Sequence, residues 1–276
     1  MIISPLNYTG TKRKLLDQLL PLFPQDAPIF YDLFCGGCTV GLNYPSKYLV
    51  LNDVCAPLIT LLCGMRDSAS GAEFLHKVES VMAEFGIEPG NQAAYLSIRT
   101  AYNAGRRDAA TFYAMITASY NSTIRFNDYD EYNASFGGTK AYLHPKRKEL
   151  TIEFADELIA RKPRIYNSSF DKVPVHPKGF VYCDPPYYIT SVSYMAVWDT
   201  MREYMLYRTL DELNEKGIKF GLSNVTHNKG KVNTILTEWM KKYNVHQLDM
   251  SYAVSYCGAK ELTKNNKTIE VYVCNY

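Results

Sequence analysis

Seven short runs with strand texture alternate along this chain with stretches of helical periodicity, and that alternation restricts the fold more than any other feature. They are IFYDLF (29–34), KYLVLND (47–53), RIYNSSF (164–170), GFVYC (179–183), KFGLSNV (219–225), VHQLDM (245–250) and TIEVYVCNY (268–276). Strands interleaved with helices predict an α/β chain with a mostly parallel sheet covered on both faces. Of the 276 residues 47% are hydrophobic, enough to bury such a core. The spacing of Leu15, Leu16, Leu19 and Leu20 predicts a helix that Pro21 and Pro24 close. Thr200 with Glu203 reads as a capping box for a helix through Glu215, ended by Gly217. A further helix is expected over about 231–243. Between 56 and 164 helical stretches such as GAEFLHKVESVMAEFG and AAYLSIRTAYN lead into polar, Gly- and Asn-rich sequence, which marks an insertion.

Two strand ends carry chemistry. In open α/β sheets, ligands sit beyond the carboxyl ends of the strands. The first strand breaks into CGGCTVG, with Gly36, Gly37 and Gly41 in a turn toward an expected helix start, and the second ends at Asp53. Glycines admit close backbone approach and an acid can accept from ribose hydroxyls, so a nucleoside-bearing cofactor fits; a tight turn without a ligand would look the same. The spacing is not G-x-G-x-x-G, which disfavours a dinucleotide enzyme. After GFVYC comes Asp184-Pro185-Pro186-Tyr187. The prolines stiffen the turn and leave two acceptors, the Asp184 carboxylate and the Pro185 carbonyl. An aromatic exocyclic amine has two hydrogens to give such a pair, and gripping both exposes its lone pair to an electrophile. Tyr187 can stack on the ring, and Tyr188 or Ile189 can shape the pocket or pack beneath it. A Pro-rich turn with a capping Asp has the same residues; the buried strand before it and the glycine turn elsewhere favour a site.

Composition removes several classes. The chain has no run of about 18 apolar residues, and MIISPLNYTG lacks the order of a signal peptide, so a soluble, cytoplasmic protein is expected. Seven scattered cysteines (35, 38, 55, 63, 183, 257, 274) suit reduced core thiols, and Cys35-x-x-Cys38 lacks a partner pair at zinc spacing. The five histidines are too dispersed for a metal or triad constellation, so no metal is expected. Trp198 and Trp239 read as packing residues. Residues 99–164 and 216–246 are net positive in a chain with 23 tyrosines, compatible with a polyanion surface. Monomer is the default expectation.

NYTGTKRKLL, YDLFCGGCTVGLN and YCDPPYYIT, with STIRFND and KGIKFGLSN, together resemble the S-adenosylmethionine-dependent DNA adenine-N6 methyltransferases of the Dam type. The order of cofactor loop, recognition insert and catalytic loop is that of the alpha arrangement. The resemblance spans the chain and implies a Rossmann-like class I methyltransferase sheet of seven strands, one antiparallel near the C-terminus. It divides the chain into a catalytic, cofactor-binding domain (1–57 and 160–276) and an inserted, mainly helical target-recognition subdomain (58–159). It implies Tyr8, Lys12, Phe34, Cys35, Gly36, Gly37, Asp53, Ser169, Phe170 and Asp184 as contacts to S-adenosylmethionine, and Asp184, Pro185, Pro186 and Tyr187 as catalytic. Adenine is favoured because Asp, not Ser, stands at 184, and no Pro-Cys pair exists for a cysteine adduct at cytosine C5.

The partner implied is double-stranded DNA, with the target adenine flipped out of the duplex. Tyr120 and Asn121 are candidates to fill the gap, and Arg125 to bond O6 and N7 of a guanine. Asn127 belongs to the same recognition stretch. Lys140 or Lys146 is the nearest substitute for a basic residue that the family places after Pro-Phe-Gly, where this chain has Ser135 in place of the proline. Arg147, Lys229, Lys231, Lys241 and Lys242 read as phosphate contacts. GATC, or another site with adenine after guanine, is the expected target. Methylation of single-stranded nucleic acid or RNA, and an inactive DNA-binding relative, are the competing readings. Intact Asp184, Tyr187, Lys12 and Asp53 count against the last.

Overall fold

The computed structural model describes residues 1–140, 142–190, 198–249 and 268–276. Strands β1 (Ile29–Asp32), β2 (Tyr48–Asn52), β3 (Arg164–Tyr166), β4 (Gly179–Cys183), β5 (Lys219–Asn228), β6 (Lys231–Val232), β7 (Asn244–Leu248) and β8 (Ile269–Cys274) form one sheet. Its order is β3-β2-β1-β4-β5-β8-β7, with β6 paired to the end of β5. Neighbours from β3 to β5 are parallel, while β8 lies antiparallel between β5 and β7. The α/β class and the antiparallel strand near the C-terminus are as the sequence led us to expect.

Alternate residues of the central strands go to opposite faces. Phe30, Leu49, Leu51, Phe180 and Tyr182 pack on one side. Tyr31, Val50, Val181, Phe220 and Val271 pack on the other. Each such side chain contributes roughly 1.5–3 kcal/mol on full burial, and helices cover both faces. These are α1 (Leu16–Leu19), α2 (Ala56–Arg66), α3 (Gly71–Phe85), α4 (Gln92–Asn103), α5 (Ala109–Ala118), α6 (Pro145–Arg161), α7 (Thr200–Glu215) and α8 (Thr234–Trp239). Helix α5 is buried from Ala110 to Ala118 and packs among α2, α3 and α4. One continuous apolar cluster joins these helices to the sheet through Leu58, Leu61 and Met65.

Several local expectations are corrected. The chain after Gly37 does not enter a regular helix: Cys38 has φ 56, and the carbonyls of Gly41, Leu42, Tyr44 and Ser46 are taken by the Arg161 guanidinium at the end of α6. The run 13–22 is α1 flanked by two 3-10 turns, Arg13–Leu15 and Leu20–Leu22, and Pro21 sits inside the second instead of ending the helix. The helix expected over 231–243 is a hairpin strand, a six-residue helix and a 3-10 turn, because Asn233 caps α8 by accepting from the Leu236 N–H. Strand β3 stops at Tyr166. Ser70 caps α3 by accepting from the Glu73 N–H, and the Glu73 carboxylate accepts from the Ala69 N–H; no such pair forms at Thr200 and Glu203. Helix α7 is capped by Asp199, which accepts from the Arg202 N–H at 2.8 Å, and its end is marked by Gly217 at φ 68. Glu203 is instead fully buried.

Candidate active site

Because β1 has β2 on one side and β4 on the other, the chain leaves β1 at a topological switch point, where a crevice opens at the carboxyl edge. A cavity of about 420 Å³ lies there. Asp53, just past β2, ties the glycine turn: its Oδ2 accepts from the Gly36 N–H and its Oδ1 from the Cys55 N–H, both at 3.0 Å. Burial raises its pKa, and these amide bonds pull the other way. Gly36 has φ 46, and a Cβ there would come within 2.8 Å of the Tyr8 ring, so only glycine lets the N-terminal segment close over the turn. Cys35 and Cys38 are buried thiols whose pKa values are raised by burial, and the six described cysteines are free; Cys257 lies outside the described residues.

All ten residues that the resemblance assigned to the cofactor line this one cavity, although they come from five separated stretches. Its aromatic end is built by Phe34, Phe170 and Trp198, with Phe34 5.3 Å from Phe170 and edge-on to Trp198 at 5.6 Å between ring centroids. Trp198 packs against the core, as expected, and it also stands in the cavity wall. It is held there by the buried Glu203, which accepts from its indole N–H at 2.5 Å, from the Asn233 amide at 2.9 Å and from the Tyr207 hydroxyl. Trp239 does pack, stacking on Tyr207 at 4.5 Å.

At the other end stands the D-P-P-Y stretch. Asp184 keeps 17% of its side-chain surface exposed, and its Oδ2 lies 2.7 Å from Lys12 Nζ. Its Oδ1 accepts from the Tyr187 hydroxyl at 3.2 Å. The Tyr187 carbonyl closes the turn by accepting from the Thr190 N–H at 2.9 Å. Burial pushes the Asp184 pKa up to about 6 despite the Lys12 ammonium beside it. For Lys12, burial alone would lower the pKa, but the charges of Asp184 and Glu270 more than offset it and leave it raised. Neither Tyr188 nor Ile189 lines the cavity: the Tyr188 hydroxyl pairs with that of Thr200, and Ile189 is buried.

Two site residues escaped the sequence reading. Asp32, the last residue of β1, lines the cavity and is 2% exposed; Oδ2 accepts from the Gly41 N–H while Oδ1 has no partner among the described residues. Burial, then the charge of Asp184, pushes its pKa up to about 8. Glu270 on β8 is 3% exposed, accepts from the Tyr187 hydroxyl at 2.7 Å and lies 3.5 Å from Lys12 Nζ. The signal available for both was an acid inside an otherwise apolar strand run.

The candidate DNA-facing residues separate into groups. Tyr120, 60% exposed, and Asn121, at φ 52, form a turn whose Asn121 carbonyl accepts from Asn7, next to Tyr8. Ile124, three residues on, lines the cavity. That turn is fixed from behind: Tyr120 N–H donates to the Ser135 carbonyl at 2.7 Å, and Gly137 donates to Ala118 so closely that a Cβ would lie 2.9 Å from the Ser119 oxygen. Arg125 donates to Asn133, and Arg147 to the Ser122 hydroxyl. Asn127 is occupied in closing its own loop, accepting from the Tyr129 and Glu131 N–H groups. Lys140 is exposed. Lys229 and Lys231 are exposed on the β5–β6 hairpin, beyond the carboxyl end of β5. Since β5 runs parallel to β1 and β4, that hairpin leaves the same sheet edge as the cavity.

Comparison with known proteins agrees with this geometry. The chain is 35% identical over its whole length to the type II methyltransferase M.FokI of Planomicrobium okeanokoites, and 33% identical over its whole length to the modification methylase StsI of Streptococcus sanguinis. It spans 43% of the length of each of these two relatives. It is 25% identical to the DNA adenine methylase of Escherichia coli K12, with 92% of this chain aligned to 89% of that one. The sequence profile of the D12 class N6 adenine-specific DNA methyltransferases matches residues 8–254, and the chain belongs to that family.

Proposed function

We propose that this protein transfers a methyl group from S-adenosylmethionine to N6 of an adenine flipped out of a short duplex site, GATC or another sequence with adenine after guanine. The observation that carries it is one cavity with a nucleoside-fitting end at Phe34, Asp53 and Phe170 and an amine-accepting end at Asp184. The cofactor fits the residues present. Gly36 and Gly37 give a backbone cradle under Tyr8, Asp53 retains lone pairs for ribose hydroxyls, and the unpartnered Asp32 Oδ1 is an acceptor for an ammonium. Tyr8, Lys12, Cys35 and Ser169 complete that wall. When bound, S-adenosylmethionine supplies an electrophilic methyl on a sulfonium.

On the protein's side, the Asp184 carboxylate and Pro185 carbonyl accept the two amine hydrogens, Pro186 fixes the turn, and Tyr187 faces the base. Asp184, with a pKa of about 6, is also suited to take the proton the methylated nitrogen must shed. Segment 58–159 carries target recognition in this reading, Tyr120 and Asn121 entering the duplex, Arg125 reading guanine, and Asn127 shaping the loop that follows. Lys140, Arg147, Lys229 and Lys231 meet phosphates.

The test incubates the protein with methyl-labelled S-adenosylmethionine and unmethylated duplex DNA, single-stranded DNA or RNA, then maps modified adenines by sequencing. Label at N6 of adenine in one duplex sequence is the expected outcome; label in RNA alone, or nowhere, removes the proposal. Asp184→Ala should leave less than a few per cent of the rate. Arg125→Ala should relax site choice with little effect on cofactor binding, and an unchanged site preference would take Arg125 out of the base contacts.

A further inference from the structure

Glu270 has no part in the chemistry above, yet it is the second residue of β8, 3% exposed, and turned into the site. An isolated buried carboxylate costs several kcal/mol, so its retention there depends on partners. Those partners are the two groups that also hold Asp184. Lys12 Nζ is 2.7 Å from Asp184 and 3.5 Å from Glu270, and the Tyr187 hydroxyl is 3.2 Å from Asp184 and 2.7 Å from Glu270. Both Asp184 oxygens are therefore engaged in the protein alone. Each Asp184 oxygen can accept one more hydrogen, but turning the carboxylate toward a target amine draws it off Lys12 or Tyr187, and a donor so displaced and left unpaired in a buried site costs about 1–3 kcal/mol. Glu270 already lies within reach of both displaced donors.

We infer that Glu270 is a positioning residue for methyl transfer, taking over the Lys12 ammonium and the Tyr187 hydroxyl as Asp184 turns to the target amine. The inference rests on Asp184 being the amine's acceptor. Lys12 comes from the N-terminal segment, Asp184 and Tyr187 from the loop after β4, and Tyr182 and Asp32 from β4 and β1; all five face this cluster, while β5 and β7 place Val225 and Leu248 beside Glu270. Burial raises the Asp184 pKa most, the Lys12 ammonium lowers it, and the negative charge of Glu270 raises it further.

The experiment compares the full chain with Glu270→Gln, using methyl-labelled S-adenosylmethionine and unmethylated duplex DNA across pH 5 to 9, with cofactor affinity and thermal unfolding measured alongside. Asp184 must be ionised to accept, so the rate falls as pH drops through its pKa. The amide is expected to lower kcat at least tenfold, to change cofactor affinity less than threefold, and to move the acid limb to lower pH, because a charge that raised the Asp184 pKa has gone. A kcat within twofold of wild type, or an acid limb that stays in place, overturns the inference, and so does a loss of kcat matched by equal losses of cofactor affinity and thermal stability, which would mark a merely structural role. If the amide does not fold, Glu270→Asp takes its place: the charge is kept and the reach shortened, so kcat should fall at least tenfold with the limb unmoved, and a rate within twofold of wild type overturns the inference. Wild-type protein that labels no adenine would instead remove the proposed function, which keeps the two failures apart.

Discussion

Asp32 and Asp184 are both buried carboxyls at strand ends, and their neighbours push them to different protonation states. Asp184 has Lys12 at 2.7 Å and rises only to about 6; Asp32 has one backbone N–H and rises to about 8. At pH 7 the first is ionised and the second carries a proton. An ammonium placed against Asp32 favours its carboxylate, so cofactor binding at pH 7 should release a proton and affinity should improve as pH rises toward 8. Calorimetry in two buffers of different ionisation enthalpy reads that proton directly, and Asp32→Asn should abolish the buffer dependence. Identical heats in both buffers for wild type would remove Asp32 from the cofactor's contacts. The D-P-P-Y acceptors were legible in the sequence because prolines and a strand end fix their place locally. Asp32 was not, because its importance lies in which groups fail to reach it.

At the scale of elements, the strands were read well and the segments between them less so. Apolar runs such as GFVYC can only be buried, and β4 occupies that run from end to end. Thr200-x-x-Glu203 fits a capping box as a pattern, but the N-terminus of α7 is held by Asp199, and Glu203 is drawn inward by Trp198, Tyr207 and Asn233 from three places in the sequence. No local signal distinguishes the two uses of one acid. Glu203→Ala should leave those three donors unpaired in the core and lower stability by about 3 kcal/mol in denaturant unfolding. It should also weaken cofactor binding, because Trp198 loses the bond that holds it beside Phe34. A loss below about 1 kcal/mol would mean that water or rearrangement satisfies the donors.

Across the whole molecule, parallel pairing sends the ends of β1, β2, β4 and β5 to one edge, so the glycine turn, Asp53, Asp184 and the Lys229–Lys231 hairpin all lie there. The turn at Tyr120 reaches the same edge through Asn7. A duplex lying across it would meet the hairpin lysines by charge and not by sequence. Replacing Lys229 and Lys231 together with Ala should weaken binding to every duplex alike and reduce the slope of log affinity against log salt by about 2. An unchanged slope would place the DNA elsewhere.

The sequence by itself determined the α/β alternation, the family resemblance, and ten residues that prove to share a cavity, because strand ends, glycine turns and prolines act over a few residues. Only the tertiary structure decided that Glu270 belongs with them. In a parallel strand, the second residue would lie at the opposite edge from the site; β8 runs antiparallel beside β5, so its beginning, not its end, reaches Lys12 and Tyr187. The resemblance implied an antiparallel strand near the C-terminus, but which of its residues meets Lys12 and Tyr187 is set by register against β5, a distant partner, and no stretch of TIEVYVCNY records it.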